Sequence, residues 1–391
     1  MFDYKDTVER LIRQEIERGT VNGANILVLQ HGKEILNGCY GYADREKELP
    51  MKRDTIFRMF SMSKPVTAVA AMLLAERGEL DMWDPVSRYL PDFHGQTVWD
   101  PVKKTEVSAQ RDITIWDCLN MTSGVTYPDM STEPGSRMDK LFRELIERRI
   151  NGDAPDTQEY MRRIARIPLV FQPGERWLYG LSADILGAVI EKCSGKKYGQ
   201  FLQEEIFEPL KMLDTGFYVP EEKRSRFAQN YEWDEEKQCL IPYTGCNLGE
   251  CYEGKPAFES GGAGLVSTIE DYSHFSLMLV QGGQWNGVRI LGQKTVEFMS
   301  KNHLTSKQRE SLDWDSTKGY GYGCLMRVME DPGEAGMIAA PGEYGWDGWT
   351  GNYMTVDPAD DMVFLYFIQR CGAGTTALVR KLRNVTYAAL R

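Results

Sequence analysis

The sequence predicts an α+β fold, in which helices flank an antiparallel sheet built from both ends of the chain and a mainly helical lobe is inserted between them. Near the N-terminus, residues 24–30 and 33–41 are two short apolar segments around a two-residue turn, a pattern typical of a β-hairpin. Near the C-terminus, residues 352–356 and 362–368 alternate in the same way around a polar turn. Helical periodicity dominates the part between them, so we expect the two ends to share one sheet.

An amphipathic helix is predicted at the N-terminus, because four apolar residues recur on one face: Val8, Leu11, Ile12 and Ile16. A second helix is predicted after a short strand at residues 55–59, with Pro65 in its first turn and Gly78 as its stop. Proline suits a first turn because that position needs no backbone N–H. Residues 80–93 follow, and their two Asp-Pro and Leu-Pro breaks interrupt any regular element.

The middle of the chain is predicted to form the helical lobe. Polar loops such as residues 122–137 separate four segments of helical periodicity, which are residues 113–120, 158–167, 181–193 and 198–207. We therefore assign residues 1–93 and 251–391 to a discontinuous sheet domain and residues 94–250 to a mainly helical domain. The active site is expected at the interface of the two domains.

Mixed elements return after residue 257. Residues 260–264 form a glycine-rich loop before a helix that is predicted to open near Thr268 and to run to Leu279. The loop lacks both the Gly-x-Gly-x-x-Gly spacing and the strand-and-lysine context of a phosphate site. Residues 375–390 are predicted to close the chain as an amphipathic helix.

Composition excludes several classes of partner. The net charge is −11 and no basic block is present, which argues against nucleic acid and against an anionic membrane. No apolar run approaches the roughly twenty residues that span a bilayer. The N-terminus lacks the apolar core and cleavage site of a signal peptide. We therefore expect a cytoplasmic protein whose eight scattered cysteines are reduced, and we expect a small molecule as its partner. The sequence indicates no oligomeric state.

Ser61 and Lys64 form a Ser-x-x-Lys pair at the mouth of the second helix. Residues three apart on a helix share one face. A serine hydroxyl is a weak nucleophile until a neighbour takes its proton, and a lysine can do so only as the free amine. Burial and the positive end of a helix both lower the pKa of a lysine. A second copy of the pair, Ser194 and Lys197, follows a helical run and contains Gly195, so we interpret it as a solvated helix end.

The sequence offers little support for other hydrolytic chemistries. The Gly-x-Ser-x-Gly nucleophile elbow of many Ser-His-Asp enzymes is absent. None of the four histidines stands in a His-Glu-x-x-His pair, which argues against a hydrolytic zinc site. No cofactor is expected, and no metal is expected even where three cysteines lie close together without a histidine partner, at Cys239, Cys246 and Cys251.

In chain order, these motifs resemble those of the serine β-lactamase-like superfamily over nearly the full length of the chain. Ser61-Met-Ser-Lys64 matches the first motif, and residues 80–93 resemble the segment that follows it. Residues 121–124 resemble the Thr-Ser-Gly turn of that superfamily, with Met121 where histidine is usual. The sequence is most similar to class C β-lactamases and to their esterase relatives, the family VIII carboxylesterases.

Three later segments extend the resemblance. Residues 171–187 resemble the second motif region, where Tyr179 takes the position of the catalytic tyrosine. Residues 261–268 match another common segment, and Trp346-Asp-Gly348 lies where lactamases have Lys-Thr-Gly. The order of a Ser-Lys pair, a tyrosine and a glycine-bearing strand is more specific than any single motif.

The resemblance implies acyl transfer through a covalent ester on Ser61. It implies that Lys64 and Tyr179 share the proton transfers, with Tyr179 as the acid to the leaving group. It also implies an oxyanion hole made by the backbone N–H groups of Ser61 and Trp349. Water would then release the acyl group, or an alcohol or amine acceptor would take it.

Two departures from the lactamase pattern bear on the substrate. Lactamases carry a cation at the position of Trp346, and a tryptophan cannot make that charge-assisted contact with a carboxylate. They also carry asparagine two residues after the catalytic tyrosine, where this chain has Leu181. Uncharged esters or amides suit an apolar pocket better than penicillin does, and its expected lining is Trp346, Gly348, Trp349, Tyr344 and Tyr127.

The sequence therefore predicts a serine hydrolase that cleaves carboxylic esters without a cofactor. One alternative is a β-lactamase or a D-amino-acid-specific peptidase or amidase, which penicillin or cephalosporin would acylate slowly. Another is an acyltransferase that passes the acyl group to a second metabolite. A fourth hypothesis, motivated by Leu181, is a penicillin-sensor-like binding module that binds ligand without turnover. The intact Ser61, Lys64 and Tyr179 argue against this last one.

Overall fold

The computed structural model describes residues 3–245 and 252–390. Its strands in chain order are β1 (Gly23–Gln30), β2 (Lys33–Asp44), β3 (Leu49–Pro50), β4 (Phe57–Arg58), β5 (Thr97–Asp100), β6 (Thr105–Ser108), β7 (Tyr231–Asp234), β8 (Cys239–Pro242), β9 (Val266–Ser267), β10 (Gln284–Trp285), β11 (Val288–Arg289), β12 (Tyr320–Gly323), β13 (Met326–Met329), β14 (Tyr344–Asp347), β15 (Tyr353–Asp357) and β16 (Met362–Phe367).

The helices of the described residues are α1 (Tyr4–Glu17), α2 (Ser63–Glu76), α3 (Ile115–Leu119), α4 (Glu133–Ile150), α5 (Thr157–Ile164), α6 (Ser182–Ser194), α7 (Tyr198–Leu202), α8 (Ile269–Val280), α9 (Gln293–Met299), α10 (Ser306–Arg309), α11 (Pro332–Ala335) and α12 (Ala377–Tyr387). None of the helices in these described stretches is both long enough and apolar enough to cross a membrane.

Both ends of the chain contribute to one antiparallel sheet, as the sequence predicts. Its strand order is β12-β13-β14-β15-β16-β1-β2-β3. The hairpin β1–β2 pairs Leu27 with Asn37, and β1 also pairs with β16, which places Leu27 opposite Leu365. The predicted hairpin of residues 352–368 is the pair β15–β16. The α+β fold with helices flanking an antiparallel sheet is therefore confirmed.

The two faces of the sheet are covered by different helices. On one face, the terminal helices α1 and α12 pack together, and their buried side chains include Val8, Ile12, Val379 and Leu382. The other face belongs to a much larger core that contains the apolar residues of α2, α6 and α8. Helix α2 is buried on every face, since every residue from Ser63 to Leu74 is buried. A helix that is apolar all round belongs in a protein core.

The middle of the chain differs from the expectation at two places. Helix α4 starts inside residues 122–137, which we expected to be loop throughout. Thr132 caps its N-terminus by accepting a hydrogen bond from the backbone N–H of Gly135, and Met138, Leu141 and Leu145 are buried. The hairpins β5–β6 and β7–β8 also lie in this predicted helical lobe.

Parts of two predictions, the domain division and the cysteine cluster, fall outside the described residues. The proposed domain boundary at residues 250 and 251 lies there, and so do Cys246 and Cys251. The division of the chain into two domains therefore stays a prediction. Among residues 3–245 and 252–390, no cluster of three potential metal-ligating side chains occurs.

Candidate active site

Ser61 lies in a tight turn at the N-terminus of α2. The 3₁₀ turn Phe60–Met62 leads directly into the helix, and Phe60 adopts a left-handed backbone conformation with φ 46°. A bulky residue at positive φ is uncommon and is tolerated where the surrounding structure enforces it. Here the backbone N–H of Met59 donates to the carbonyl of Leu265 at 2.8 Å, which ties the turn to the strand β9 region. The turn presents Ser61 to a cavity at the positive end of the helix.

Lys64 is completely buried one helical turn from Ser61. Its Nζ lies 3.1 Å from Ser61 Oγ, 3.1 Å from the hydroxyl of Tyr127 and 2.8 Å from the carbonyl oxygen of Gly262. Burial lowers the pKa of Lys64 from its usual value to about 7, although the negative charges of Asp184 and Asp347 act in the opposite direction. A substantial fraction of Lys64 is therefore the free amine at neutral pH.

The three neighbours of Lys64 suit both of its protonation states. As an ammonium group, Nζ has three hydrogens and can donate one to each neighbour. As a free amine, it has two hydrogens and one lone pair. The carbonyl of Gly262 can only accept, but the hydroxyl groups of Ser61 and Tyr127 can each donate. The free amine can thus receive the proton of Ser61 without breaking its other two contacts.

A buried carboxylate holds in place the loop whose Gly262 carbonyl contacts Lys64. Asp184, in the first turn of α6, accepts a hydrogen bond from Ser260 Oγ at 2.5 Å and another from the backbone N–H of Gly262 at 3.2 Å. A Cβ atom at position 262 would lie 2.7 Å from Asp184 Oδ2, so only glycine allows this approach. Burial raises the pKa of Asp184 above its usual range, while its hydrogen bonds and Lys64 oppose the shift.

Tyr179 brings a second hydroxyl to Ser61. Its hydroxyl oxygen accepts a hydrogen bond from Trp346 Nε1 at 3.1 Å, and Lys64 Nζ lies 4.6 Å from the centre of its ring. Burial raises the pKa of Tyr179 well above its usual value, although hydrogen bonds with Ser61 and Trp346 act in the opposite direction. At neutral pH Tyr179 is therefore a protonated phenol, which suits a proton donor better than a base.

These groups line or underlie a cavity of about 460 Å³. A volume of this size is within the usual range for small-molecule sites. Ser61, Tyr127, Tyr179 and Ser260 contribute polar atoms, while most of the wall is aromatic or aliphatic, with Phe60, Phe142, Tyr160, Leu181, Phe258, Trp314, Trp346 and Trp349. The cavity therefore accepts an apolar molecule beside the serine hydroxyl.

The structure brings most of the predicted site residues together. Ser61, Tyr179, Tyr127, Trp346, Gly348 and Trp349 all line the cavity, and Lys64 lies directly behind Ser61. Gly348 permits close packing of the end of β14 against the turn that contains Ser61, because a Cβ atom there would lie 2.6 Å from the carbonyl oxygen of Met59.

Tyr344 is a correction to the sequence analysis, because it is not among the residues that line the cavity. It is fully buried in the core, two residues before Trp346 on β14. Only the end of this strand reaches the cavity. Tyr127 does line the cavity, but its hydroxyl group also contacts Lys64, so its contribution is not limited to the apolar wall.

Sequence reasoning missed Asp184, the carbonyl of Gly262 and Asp347. Asp184 follows Tyr179 by five residues, and Gly262 lies in the glycine-rich loop, to which the sequence analysis assigned no residue of the site. A carboxylate in an otherwise apolar helical run, Leu181 to Ile190, is the signal that could have identified Asp184.

This arrangement contains the parts of a nucleophilic acyl-transfer site. Ser61 supplies a hydroxyl group that can act as a nucleophile, Lys64 a nearby amine that is partly unprotonated, and Tyr179 a phenol that keeps its proton. No cluster of potential metal ligands accompanies them among the residues that the structure describes.

The chain is similar to known proteins along nearly its whole length. The family described as Beta-lactamase matches residues 8–385. Protein Rv1367c of Mycobacterium tuberculosis (strain ATCC 25618 / H37Rv) is 34% identical over 369 residues, which are 92% of this chain and 88% of that protein. Esterase EstB of Burkholderia gladioli is 29% identical over 398 residues, which are 97% of this chain and 94% of that protein.

A solved structure has the same fold. EstCE1, described as a hydrolase with promiscuous acyltransferase activity, matches with a TM-score of 0.83 and 26% sequence identity over 98% of both chains. The resemblance that the motifs indicated is thereby confirmed for the family and for the β-lactamase/transpeptidase-like fold.

Proposed function

The chain belongs to the beta-lactamase family and is a serine hydrolase, and on this basis we propose that it cleaves carboxylic esters through an acyl-enzyme intermediate on Ser61. The observation that carries this proposal is the contact of Ser61 Oγ with the buried Lys64 at 3.1 Å, where burial brings the pKa of the lysine to about 7. A general base is most effective when its pKa lies near the working pH.

Acylation begins when Ser61 Oγ attacks the ester carbonyl and its proton passes to the free amine of Lys64. The carbonyl oxygen becomes an oxyanion, and the backbone N–H groups of Ser61 and Trp349 stabilise it. Loss of one such donor typically costs about 10²–10³-fold in rate. The helix end beneath Ser61 favours the same negative charge.

The tetrahedral intermediate then collapses and expels the alcohol. Tyr179 donates a proton to the leaving oxygen, and the adjacent Lys64 ammonium group replaces that proton. The raised pKa of Tyr179 and its contact with Trp346 support this role. Water attacks the acyl-enzyme in the second half of the cycle, with the same groups acting in reverse.

The charge of the cavity supports esters over β-lactams. β-Lactam antibiotics and peptides that end in D-alanine carry a carboxylate, which needs a cationic partner. No lysine or arginine is among the described residues that line the cavity, and Asp347 adds a negative charge to its wall. Trp346 donates its only side-chain N–H to Tyr179, so its side chain cannot replace the missing cation.

Acyl transfer is the second candidate function. Promiscuous acyltransferase activity is attributed to EstCE1, and the aromatic cavity of this chain would hold an alcohol acceptor in place of water. We further propose a small-molecule ester or amide as the partner and the cytoplasm as the location. The scattered cysteines of the sequence support that location.

The proposal is tested with p-nitrophenyl butyrate and nitrocefin as parallel substrates for the purified protein. We expect ester turnover by the wild type to fall by about 10⁴-fold or more in Ser61→Ala, because the acyl-enzyme can no longer form. Ser194→Ala is the matched control, since Ser194 belongs to the second Ser-x-x-Lys pair and its hydroxyl contacts only local backbone groups, the carbonyl of Ile190 and the N–H of Lys196.

Mass spectrometry after a rapid acid quench should show one butyryl group, a mass increase of about 70 Da, on the wild type and on Ser194→Ala. Unchanged ester turnover in Ser61→Ala would contradict the nucleophile assignment. Nitrocefin turnover faster than ester turnover would show a β-lactamase and would contradict the argument from cavity charge.

A further inference from the structure

The cavity beside Ser61 has one unusual chemical feature, which is its single formal charge. Among the described residues that line it, Asp347 alone has an ionisable carboxylate, and no lysine, arginine or histidine lines it. Every other lining side chain is aromatic, aliphatic or a neutral hydroxyl group. A buried or half-buried carboxylate in an apolar wall is costly unless a partner neutralises it.

Asp347 is only partly neutralised by the protein. Its Oδ2 accepts a hydrogen bond from Thr375, and the same oxygen lies 3.8 Å from the guanidinium group of Arg327. Arg327 itself is buried, with 3% of its side chain exposed, whereas 19% of the Asp347 side chain is exposed. No hydrogen bond to Oδ1 of Asp347 occurs within the described part of the chain. One carboxylate oxygen of this cavity-lining residue therefore has no hydrogen-bond donor among the described residues.

The walls around this carboxylate are rich in exposed tryptophan. Trp314 and Trp349 line the same cavity and are 39% and 38% exposed, although large aromatic side chains are mostly buried in proteins. Trp314 packs edge to face against Tyr179, and Trp349 packs in the same way against Phe60, so both rings are held in place. Fixed aromatic rings left open at a cavity indicate a ligand-contacting surface.

Aromatic faces combined with a carboxylate are the chemistry that recognises an alkylammonium group. A cation binds over the face of tryptophan or tyrosine, and tryptophan is the most favourable ring. Quaternary ammonium ligands are bound in this way in aromatic cages. The same surroundings disfavour a carboxylate on the substrate, because no cation lines the described cavity wall and Asp347 repels the negative charge.

We propose that the substrate of this site is an ester that carries an alkylammonium group, and that Asp347 and the tryptophans of the cavity bind that group. This inference rests on the proposed ester hydrolysis. The cation sits on either the acyl chain or the alcohol, and both positions place it in the cavity while the ester carbonyl is at Ser61. Asp347 acts as a binding residue for the cation and repels anionic esters.

The experiment compares esters of equal shape and different charge. For a cation on the acyl chain, p-nitrophenyl 4-(trimethylammonio)butyrate is compared with its neutral isostere p-nitrophenyl 5,5-dimethylhexanoate and with the anionic p-nitrophenyl hemiglutarate. For a cation on the alcohol, butyrylcholine is compared with 3,3-dimethylbutyl butyrate. The measured quantity is the ratio of kcat/KM for the cationic ester to that for the neutral ester.

We expect this ratio to be about 10 or more in at least one pair, a size typical of a desolvated cation–π contact with a carboxylate nearby. The ratio should fall about tenfold in Asp347→Asn, which keeps the oxygen that Thr375 contacts. In the control Asp361→Asn the ratio should not change, because Asp361 lies in the turn between β15 and β16 and contacts His31. Thermal melts of both variants are the check that each is folded.

The outcomes separate this inference from the proposed function. If no ester is hydrolysed in a manner that depends on Ser61, ester hydrolysis itself is wrong. If the neutral esters are hydrolysed through Ser61 but both ratios are 1 or lower, only the alkylammonium inference is overturned. A high ratio that persists in Asp347→Asn would also overturn it, since the cation would then be bound elsewhere.

Discussion

The chain contains two Ser-x-x-Lys pairs, which differ in burial and lie at opposite ends of their helices. The pair Ser61 and Lys64 lies at the N-terminal end of α2, and Lys64 has no solvent exposure. The pair Ser194 and Lys197 lies at the C-terminal end of α6, which Gly195 ends in a left-handed conformation with φ 68°. The side chain of Lys197 is 62% exposed and forms an ion pair with Glu191 at 3.2 Å.

The hydrogen bonds of the two serines differ in the same way. Ser61 Oγ contacts the amine of Lys64, whereas Ser194 Oγ donates to the carbonyl of Ile190 in the preceding helical turn. The positive end of a helix favours the negative charge of an acyl-transfer intermediate, and the negative end disfavours it. Identical residue spacing thus gives our proposed nucleophile in one place and a solvated helix end in the other, because the two pairs differ in burial and in helix direction.

The largest difference between the two pairs is expected when each lysine is replaced by arginine, which stays protonated. Lys64→Arg should lower kcat for p-nitrophenyl butyrate by about 10³-fold, because arginine stays protonated and cannot accept the serine proton. The matched change Lys197→Arg keeps a surface ion pair and should leave kcat within about twofold. Steady-state kinetics of both variants measures the contrast, and similar effects at the two positions would remove the distinction between the pairs.

A smaller effect is expected from removing one hydrogen bond at the buried pair. Tyr127→Phe deletes the hydroxyl group 3.1 Å from Lys64 Nζ and should lower kcat by about 10–100-fold, the usual size for a hydrogen bond to a charged group. KM should change less than kcat. Tyr89→Phe is the control, because it removes a hydroxyl group that contacts Asp84 on another part of the surface. Loss of activity in both variants alike would indicate a general structural effect.

The burial of Lys64 should also appear in the stability of the protein. The folded pKa of about 7 lies below the unfolded value of 10.5, so the unfolded state binds more protons between these two pH values. The contribution of Lys64 to the free energy of unfolding therefore rises with pH across that interval, by at most about 1.4 kcal/mol per pH unit. The free energy of unfolding of wild type minus that of Lys64→Met, measured by urea titration from pH 7 to pH 9, should increase. A difference that is constant with pH would show that the pKa of Lys64 is the same in the folded and unfolded states.

The sequence was sufficient for the fold and for most of the residues that the structure brings together at the cavity. The two hairpins β1–β2 and β15–β16 were visible as alternating apolar segments on either side of short turns. The second helix was visible from Pro65 and Gly78, and it spans Ser63 to Glu76. Local pattern decides these elements, because their apolar faces repeat at the period of the strand or the helix.

The parts that were missed depend on tertiary packing. The first turn of helix α4 contains Gly135, a residue of low helix propensity, and burial of Met138, Leu141 and Leu145 outweighs that preference. Asp184 and Gly262 are 78 residues apart in the chain, and their contact at 3.2 Å follows from the way α6 packs beside the loop of residues 260–264. Nothing in the spacing of either segment indicates this contact.

Tyr344 shows the limit of a strand pattern. It shares a face of β14 with Trp346, since side chains alternate along a strand, and the sequence analysis expected both in the pocket. The cavity begins only at the end of the strand, where Trp346, Asp347 and Gly348 line it. Alternation gives the face of a residue but not its depth in the core.

The pH dependence of kcat/KM for p-nitrophenyl butyrate tests most directly whether buried Lys64 is the base. After subtraction of the rate of Ser61→Ala, we expect kcat/KM to rise about tenfold per pH unit below pH 7 and to level off above it. Asp184→Asn keeps an acceptor oxygen but removes a charge that holds the pKa of Lys64 up, so its inflection should lie at lower pH. A profile that stays flat from pH 5 to pH 9, in both proteins, would contradict the account.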